Sequence, residues 1–332
     1  MRKISLTGIK PTGDLHIGNY FGTIRPALEL AKTHDARYFI ADYHALNIMK
    51  NPKELSATIR HVAAGWLASG LDPEKVIFYR QSSIPETFEL TTMLMAFTPK
   101  GQMNRAHAYK AAVQENNERG NDPDAGINMG LFTYPVLMAA DIILFDSDIV
   151  PVGQDQVQHV EMAADMAQAV NFNYKQEVLK VPQAGVQDDV AVVPGLDGRK
   201  MSKSYGNVIP LFAPEKDLRK TIMRIVTNSQ GVEEPKDPDT SQIFLLYKLF
   251  ASPEEQAAFA ARYRAGGMGW GDAKEELFRA VNRVLSPMRE HYNALMADPA
   301  NIDRILAQGA EKARPIAAAT VKRFRKATGI EA

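Results

Sequence analysis

Two short segments of the chain carry residue types that could handle the phosphates of a nucleotide. The first has the sequence Lys-Met-Ser-Lys-Ser at residues 200–204, directly after a Gly-Leu-Asp-Gly turn at residues 195–198. Chemistry on ATP spreads negative charge over pyrophosphate, and lysines together with Mg²⁺ stabilise that charge. The pentapeptide therefore predicts a loop that brings Lys200 and Lys203 to phosphates. A solvated basic loop is the alternative, and it is the better interpretation of either lysine considered alone.

The second segment is His16-Ile17-Gly18-Asn19, which follows a predicted strand and a turn. The first N–H groups and the dipole of a helix both face an anion placed at the helix N-terminus. Gly18 allows a base or phosphate to approach the backbone closely, and His16 and Asn19 can donate hydrogen bonds. The segment is neither of the two common glycine-rich nucleotide loops. An ordinary strand-to-helix turn with an exposed histidine remains open.

The elements that must position these segments alternate along the first two thirds of the chain. Alternating apolar residues predict strands at 3–9, 37–41, 76–79 and 149–152. Helical patterns lie between and after them, at 18–30, 52–71, 85–96, 101–119, 126–145 and 154–170. Such alternation predicts βαβ units and an α/β fold with a Rossmann-like, doubly wound parallel sheet. After about residue 214 the strand signals vanish and amphipathic helical patterns continue to the end.

We therefore expect two domains, which also agrees with a length of 332 residues. Residues 1–205 would form the Rossmann-like catalytic domain, with the Lys-Met-Ser-Lys-Ser loop at its end. Residues 206–332 would form a helical domain whose last helices can pack back on the first.

Composition excludes several classes of protein. The chain has no cysteine, which removes disulfides, cysteine-ligated zinc and iron–sulfur clusters. Lysine plus arginine and aspartate plus glutamate both number 39, so a polyanion must bind a local patch and not the average surface. The sequence has no signal-peptide pattern and no apolar run of 18 residues. We expect a soluble, cytoplasmic protein.

A third set of residues could bind an amino-acid side chain. Tyr134, Met138 and Asp141 are spaced i, i+4 and i+7, so one helix face would carry all three. A buried carboxylate is costly unless it gains hydrogen bonds. An indole, with one N–H donor and a wide apolar body, would suit this face. The alternative is that Asp141 forms a structural pair while the other two residues belong to the core.

The two phosphate-handling segments resemble the HIGH and KMSKS motifs of class I aminoacyl-tRNA synthetases. The second motif matches at five positions and the first at three of four, with Asn19 in place of the final histidine. The chain is most similar to the bacterial tryptophanyl-tRNA synthetases, where that replacement is typical. The resemblance covers essentially the whole chain, with supporting blocks at residues 18–20, 42–45, 134–142 and 150–156.

The resemblance implies a role for many residues. It places Asp141 as acceptor of the indole N–H, Tyr134 and Met138 in the pocket wall, and Gln156 at the amino or carboxylate end of the substrate. His44 would help to position ligand, although a structural histidine is as good an interpretation. His16, Asn19, Lys200 and Lys203 would be the catalytic residues. The implied ATP-binding set comprises Lys10, Pro11, Thr12, Gly18, Asn19, Gly153, Gln154, Asp155, Val192, Lys200, Met201, Ser202, Lys203 and Ser204.

Asp155 has a second possible role, and Lys10 departs from the family pattern. Asp155 would lie at the ribose, and it could also cap the following helix. The spacing of Asp155 and His159 imitates a metal-ligand pair, but no third ligand is apparent and no protein metal site is expected. Lys10 stands where the family commonly has glutamine, so we expect a further ammonium near the carboxylate or the α-phosphate, with an altered dependence on Mg²⁺.

The implied reaction joins L-tryptophan to ATP and then to tRNA(Trp), with Mg²⁺ held mainly by the nucleotide phosphates. The resemblance also implies a homodimer whose helical domain, residues 206–332, reads the anticodon. A basic cluster near the C-terminus could contact tRNA phosphates, although a solvated helix face explains each residue equally well. The cluster comprises Lys312, Arg314, Lys322, Arg323, Arg325 and Lys326.

Two other functions remain open. A tyrosyl-tRNA synthetase is the close competitor, because a phenolic hydroxyl could also meet Asp141, whereas the Met-Ala-Ala-Asp context at residues 138–141 favours tryptophan. A non-catalytic RNA-binding paralogue is the second, but the retained Lys200 and Lys203 argue against it.

Overall fold

A parallel sheet forms the centre of the molecule. The computed structural model describes residues 2–11, 13–153, 156–186 and 193–331. Within them, five strands pair in parallel in the order β3-β2-β1-β4-β5. The strands are β1 (Ile4–Ile9), β2 (Asp35–Ile40), β3 (Ile77–Arg80), β4 (Ile149–Val152) and β5 (Gln183–Val186). The order runs outwards from β1 in both directions, which confirms the predicted doubly wound sheet and leaves a crevice where β1 meets β4.

Helices cover both faces of the sheet and continue beyond it. Those of the first part are α1 (Ile17–Asn19), α2 (Arg25–Ala31), α3 (Asp42–Ala45), α4 (Pro52–Ala68), α5 (Glu86–Met95), α6 (Lys100–Met103), α7 (His107–Glu118), α8 (Met129–Ile143) and α9 (Val157–Tyr174). Those of the second part are α10 (Glu215–Met223), α11 (Gln242–Tyr247), α12 (Pro253–Ala265), α13 (Trp270–Ala297) and α14 (Pro299–Thr328). The predicted helical C-terminal region is therefore confirmed.

Local chemistry sets the start of the two helices that frame the site. Asn51 caps α4 by accepting hydrogen bonds from the amides of Lys53 and Glu54, and Pro52 occupies the first helical turn. Asn128 caps α8 in the same way through the amide of Leu131. The predicted helix at 126–145 therefore begins later than expected, because residues 126–128 form the turn and the cap.

Other elements also differ from the sequence prediction. The expected helix at 18–30 is divided into α1, a π-helical segment at Tyr20–Ile24 and α2, and the short helix α3 was not predicted. The expected helix at 101–119 is divided into α6 and α7, and residues 104–106 form the turn between them. Strand β5 was not predicted, because Gln183-Ala184-Gly185 lacks alternating apolar residues. A Cβ at Gly185 would lie 2.6 Å from Ile149 Cγ1, so the glycine permits β4 and β5 to pair closely.

The last helix returns to the sheet. Helix α14 packs on the edge strand β3 and on α5, while α13 packs on α4. A Cβ at Gly309 would lie 1.7 Å from the carbonyl oxygen of Phe78, so only glycine permits this approach of α14 to β3. In the described part of the chain, no helix combines the length and the apolar character that crossing a membrane would need.

Candidate active site

A cavity of about 290 Å³ opens at the carboxyl ends of β1, β2 and β4. Its walls come from the three strand ends, from α3 and from α8. The lining residues include Leu6, Thr7, Gly8, Lys10, Phe39, His44, Tyr134, Met138, Asp141, Val152, Gly153 and Gln156. A Cβ at Gly8 would lie 2.5 Å from the Phe39 ring, so the glycine leaves room for that ring beside β1. The site thus lies at the switch point of the sheet, where α/β proteins bind ligands.

Asp141 is the buried carboxylate of this cavity, with a relative exposure of 3%. Gln81 donates from Nε2 to both carboxylate oxygens, at 2.9 and 2.7 Å. His44 Nε2 lies 3.0 Å from Oδ2 and donates to it, because an ionised carboxylate only accepts. Burial raises the pKa of Asp141, and the hydrogen bonds from His44 and Gln81 oppose that shift. Oδ1 of Asp141 accepts one hydrogen bond, from Gln81, and can accept a second hydrogen bond from a ligand.

Gln81 was missed by sequence reasoning although it is 1% exposed and holds Asp141. The side-chain oxygen of Gln81, Oε1, accepts from the backbone amide of Tyr43 at 3.1 Å. The Gln81 side chain therefore cannot rotate without losing that bond as well. Asp42, a second buried carboxylate, accepts from the amide and hydroxyl of Ser82. These contacts join the end of β3 to α3. A polar residue directly after a strand was the signal that could have indicated Gln81.

The face predicted for α8 is present in the cavity wall. Tyr134, Met138 and Asp141 all line it. The Tyr134 hydroxyl is hydrogen-bonded to Nε2 of His159, and burial raises the pKa of Tyr134 to about 12. Thr7 was not predicted. It also lines the cavity, and its buried hydroxyl has no hydrogen-bond partner among the described residues.

The two motif segments touch each other beside this cavity. The Gly18 amide lies 3.4 Å from the Met201 sulfur, and Met201 is 5% exposed. A Cβ at Gly18 would lie 2.9 Å from Nδ1 of His16, so only glycine fits between the imidazole and the loop. The side-chain oxygen of Asn19 closes the turn, because it accepts a hydrogen bond from the backbone amide of His16 at 3.1 Å. The structure therefore brings together the segments at residues 16–19 and 200–204.

His16 is buried with its Nδ1 lacking a hydrogen-bond partner among the described residues. Burial, and to a lesser degree the charge of Lys203, lower the pKa of His16 to about 4. The imidazole is therefore neutral near pH 7, and it can offer one N–H donor to a phosphate. Its backbone pairs with Pro210, which ties the turn to the chain that follows the loop.

The loop that carries the lysines is held at its base by Asn207, which is 3% exposed. Asn207 accepts the amide of Ser202 at 2.8 Å and donates to Asp197 at 2.7 Å. Lys200, Lys203 and Ser204 are exposed. Burial lowers the pKa of Lys203, and the charge of Asp14 partly offsets this. Asn207 was not predicted, since asparagine in a turn is common and its partners are known only from the fold.

Other predicted ATP and substrate residues fall into two groups. Lys10, Gly153 and Gln156 line the cavity, and burial lowers the pKa of Lys10. Pro11 is buried beside them. The predictions for Thr12, Gln154, Asp155 and Val192 fall outside the described residues.

Most of the predicted C-terminal basic cluster lies against the part of the molecule that contains the parallel sheet. Four of its members pair with acidic residues there: Lys312 with Glu74, Arg314 with Glu86, Arg323 with Asp146 and Arg325 with Glu89. Lys322 and Lys326 are exposed. The pairs dock α14 on α5 and on the chain near β3 and α8.

Known proteins resemble the chain over nearly its whole length. A family model described as class I tRNA synthetases (W and Y) matches residues 2–286. A Pseudomonas aeruginosa protein named Tryptophan--tRNA ligase is 52% identical over 98% of this chain and 73% of its own length. A Xanthomonas campestris relative with the same name is 49% identical over 98% of this chain and 76% of its own length.

A solved structure agrees with these relatives. The tryptophanyl-tRNA synthetase from Campylobacter jejuni, complexed with ADP and tryptophan, superposes with a TM-score of 0.91 at 44% identity. The match covers 98% of this chain and 99% of that one. The chain belongs to the bacterial tryptophanyl-tRNA synthetase family.

Membership of this family confirms the predicted class of enzyme, an aminoacyl-tRNA synthetase. A tyrosyl-tRNA synthetase from Aeropyrum pernix also superposes, with a TM-score of 0.64 at 20% identity over 92% of this chain and 89% of that one. That likeness concerns the fold alone. The assignment to the tryptophanyl family rests on the relatives at about 50% identity.

Proposed function

We propose that this chain activates L-tryptophan with ATP and transfers it to the 3′ end of tRNA(Trp). The observation that carries the proposal is Asp141, a buried carboxylate with a remaining acceptor position in an apolar cavity. Buried acceptors favour a ligand that brings a donor, because an unpaired polar group in the interior is costly. The indole N–H is such a donor, and Met138 and Phe39 offer the apolar walls that its ring needs.

The tyrosine alternative is less favoured by the cavity. A phenol also carries a donor, but its ring is smaller than indole and would leave part of the wall without contact. Phenylalanine brings no donor and would leave Asp141 with an empty position, so we expect strong discrimination against it. The names of the relatives at about 50% identity support the same choice.

In the first step a carboxylate oxygen of tryptophan attacks the α-phosphorus of ATP. The bond from that phosphorus to the bridging oxygen breaks, and pyrophosphate leaves with the electron pair. The attacking carboxylate is already ionised near pH 7, so the step needs no general base. Alignment and charge stabilisation then account for the catalysis.

We assign the phosphate side of this step to the two motif segments. Neutral His16 and Asn19 donate to the phosphates, and Lys200 and Lys203 stabilise the departing pyrophosphate. Lys10, which lies in the cavity wall, adds a cation near the carboxylate or α-phosphate. We propose that the hydroxyl of Thr7, which lines the cavity and has no hydrogen-bond partner among the described residues, accepts from the substrate ammonium.

We propose that Mg²⁺ is held in this site mainly by the nucleotide phosphates. The described residues contain no cluster of three side chains suited to bind a metal. The ion would neutralise phosphate charge when it is bound. The lysines named above do the same with fixed positive charge.

In the second step a terminal ribose hydroxyl of tRNA attacks the carbonyl of the adenylate, and AMP leaves. We propose that the helical region, residues 206–332, reads the anticodon. We assign the contact with tRNA phosphates first to Lys322 and Lys326, because they are exposed and take part in none of the four ion pairs described above. We assign the other four members a share in docking α14 as well.

We also propose that the chain forms a homodimer. Ile48 and Met129 are large apolar side chains with 69% and 68% exposure. Their sequence neighbours Asn47 and Gly130 are joined by a hydrogen bond from the Asn47 side chain to the Gly130 carbonyl oxygen, and we therefore assign Ile48 and Met129 to one apolar interface. Light scattering of the protein at micromolar concentration should give twice the mass of one chain, and an Ile48→Lys variant should shift it to the monomer mass.

Amino-acid-dependent exchange of labelled pyrophosphate into ATP tests the function. We expect exchange with tryptophan and much less with tyrosine or phenylalanine. Exchange that responds best to tyrosine would support the tyrosyl alternative. Absence of exchange with every amino acid would support the non-catalytic paralogue.

A further inference from the structure

A histidine on α4 lies directly behind the turn that faces Lys203. Nε2 of His61 is 3.3 Å from the amide nitrogen of Leu15 and 3.7 Å from a carboxylate oxygen of Asp14. Its Nδ1 is hydrogen-bonded to the hydroxyl of Tyr292 on α13. One imidazole therefore joins the motif turn, helix α4 and the helical C-terminal region.

These contacts define the protonation state of the ring. The amide of Leu15 can only donate, so Nε2 of His61 must accept and its proton must reside on Nδ1. Nδ1 then donates to the oxygen of Tyr292. Burial lowers the pKa of His61, which favours this neutral form.

The turn held by His61 is anchored on its other side as well. The carbonyl oxygen of Leu15 accepts from the amide of Leu211 at 2.9 Å. A Cβ at Gly65 would lie 2.2 Å from a methyl carbon of Leu15, so the leucine is seated on α4. The Tyr292 ring stacks on Phe212 with centroids 4.3 Å apart. Asp14 thus extends from a turn whose backbone has little freedom.

Lys203 reaches this same turn. A Cβ built on Gly13 would lie 3.4 Å from the Lys203 ammonium nitrogen, which places the cation over residue 13. Asp14 is the neighbour whose negative charge favours the protonated lysine. Its side chain is 89% exposed, so phosphates arriving from solvent can take its place.

We propose that Asp14 and His61 are positioning residues for Lys203. His61 fixes the turn, and Asp14 uses that position to hold the ammonium where the pyrophosphate will depart, before ATP arrives. The phosphates then replace Asp14 as partner of Lys203. This inference rests on the role proposed above for Lys203.

Because His61 is titratable, the positioning of Lys203 by Asp14 and His61 should depend on pH. Protonation would place a proton on Nε2 opposite the Leu15 amide and would set a second cation beside Lys203. The titratable groups that face the ring are Asp14 on the turn, Lys203 on the loop and Tyr292 on α13. As the pH falls below the ordinary range of histidine, kcat for adenylate formation should fall in the wild type. A His61→Gln variant, whose amide can accept from Leu15 and donate to Tyr292, should lack this acid limb.

Substitution of Asp14 separates positioning from binding. In Asp14→Asn, kcat for tryptophan-dependent pyrophosphate exchange should fall about threefold to fivefold, which is the range of an exposed ion pair. KM for ATP should stay the same or decrease, since a carboxylate that competes for Lys203 is gone. A rise of KM with unchanged kcat would overturn the proposal.

His61→Gln should retain kcat near pH 8, whereas His61→Phe, which can neither accept nor donate, should lose it.

A double-mutant cycle tests whether Asp14 acts through Lys203, and it does not depend on the folding of a His61 variant. Asp14→Asn is compared in the wild type and in Lys203→Ala, with thermal melts to show that all four proteins are folded. We expect the Asn substitution to have no further effect once Lys203 is absent. An equal loss in both backgrounds would overturn the positioning role. The proposed function fails differently, through absence of tryptophan-dependent exchange in the wild type or through full activity of Lys203→Ala.

Discussion

The amino-acid side and the phosphate side of the site are built in opposite ways. Asp141 is 3% exposed and is held by Gln81 and His44 before any ligand binds. Lys200 and Lys203 stand on an exposed loop that is fixed mainly at Met201 and Asn207. A buried charge needs fixed partners, so the first region is preorganised. The exposed loop leaves both lysines accessible to phosphates that arrive from solvent.

This difference assigns separate tasks to the two regions. The preorganised carboxylate selects the amino acid, because a ligand without a donor leaves a buried acceptor unpaired. The exposed lysines stabilise the departing pyrophosphate and act on the rate. The following predictions test whether the two tasks are in fact separate.

The largest effect is expected from Lys203→Ala. Removal of one cation that stabilises transition-state charge should lower kcat for adenylate formation about 100-fold to 1,000-fold. Tryptophan binding, measured by calorimetry, should be almost unchanged. Lys53→Ala, at an exposed lysine of α4, is the matched control and should behave as wild type. Equal losses in tryptophan binding and in rate would contradict the separation of tasks.

Gln81→Met should affect the amino-acid side alone. The substitution keeps the volume but removes both hydrogen bonds to Asp141, so the carboxylate is less well oriented. KM for tryptophan should rise about tenfold, as expected for loss of hydrogen bonds to a buried charge. Steady-state exchange at varied tryptophan and varied ATP measures this. A rise in KM for ATP of the same size would show that Gln81 serves both sides.

Lys10→Gln tests a residue that lies between the two regions. Loss of this cation from the cavity wall should leave Mg²⁺ to neutralise more of the phosphate charge. The Mg²⁺ concentration for half-maximal exchange should therefore increase, by about threefold. An unchanged rate together with an unchanged Mg²⁺ profile would show that Lys10 has no part in charge stabilisation.

The smallest effect concerns stability at acid pH. Burial, with the charge of Lys203, lowers the pKa of His16 from 6.5 in the unfolded chain to about 4 in the folded one. The unfolded state binds more protons in this window, so the stability from neutral His16 is present above pH 6.5 and is lost as the pH falls towards 4. His16→Gln should show a smaller drop in Tm between pH 7 and pH 5 than the wild type. An identical drop would mean that His16 titrates normally.

The sequence was most informative where chemistry depends on local spacing. The segments at residues 16–19 and 200–204, and the face formed by Tyr134, Met138 and Asp141, could be predicted because each is contiguous or has a helical period. The parallel sheet could be predicted from alternating strands and helices. Each of these patterns lies within one stretch of chain.

The rest could not be predicted because it depends on contacts between distant parts of the chain. Gln81 lies 60 residues from Asp141, and Tyr292 lies 231 residues from His61. Arg323 and Arg325 look like a surface for nucleic acid in the sequence, yet they pair with Asp146 and Glu89. Strand β5 lacks the apolar alternation that would mark it, and the close approach that Gly185 permits appears only in the sheet.

The most direct test of the central claim compares substrate preference in two variants. Pyrophosphate exchange is measured with tryptophan and with phenylalanine, which brings no donor to Asp141, for the wild type, Lys203→Ala and Asp141→Ala, and the ratio of kcat/KM for the two amino acids is calculated. We predict that Lys203→Ala lowers both values and leaves the ratio unchanged, whereas Asp141→Ala reduces the ratio. A ratio that falls in Lys203→Ala, or stays constant in Asp141→Ala, would contradict the division between selection and rate.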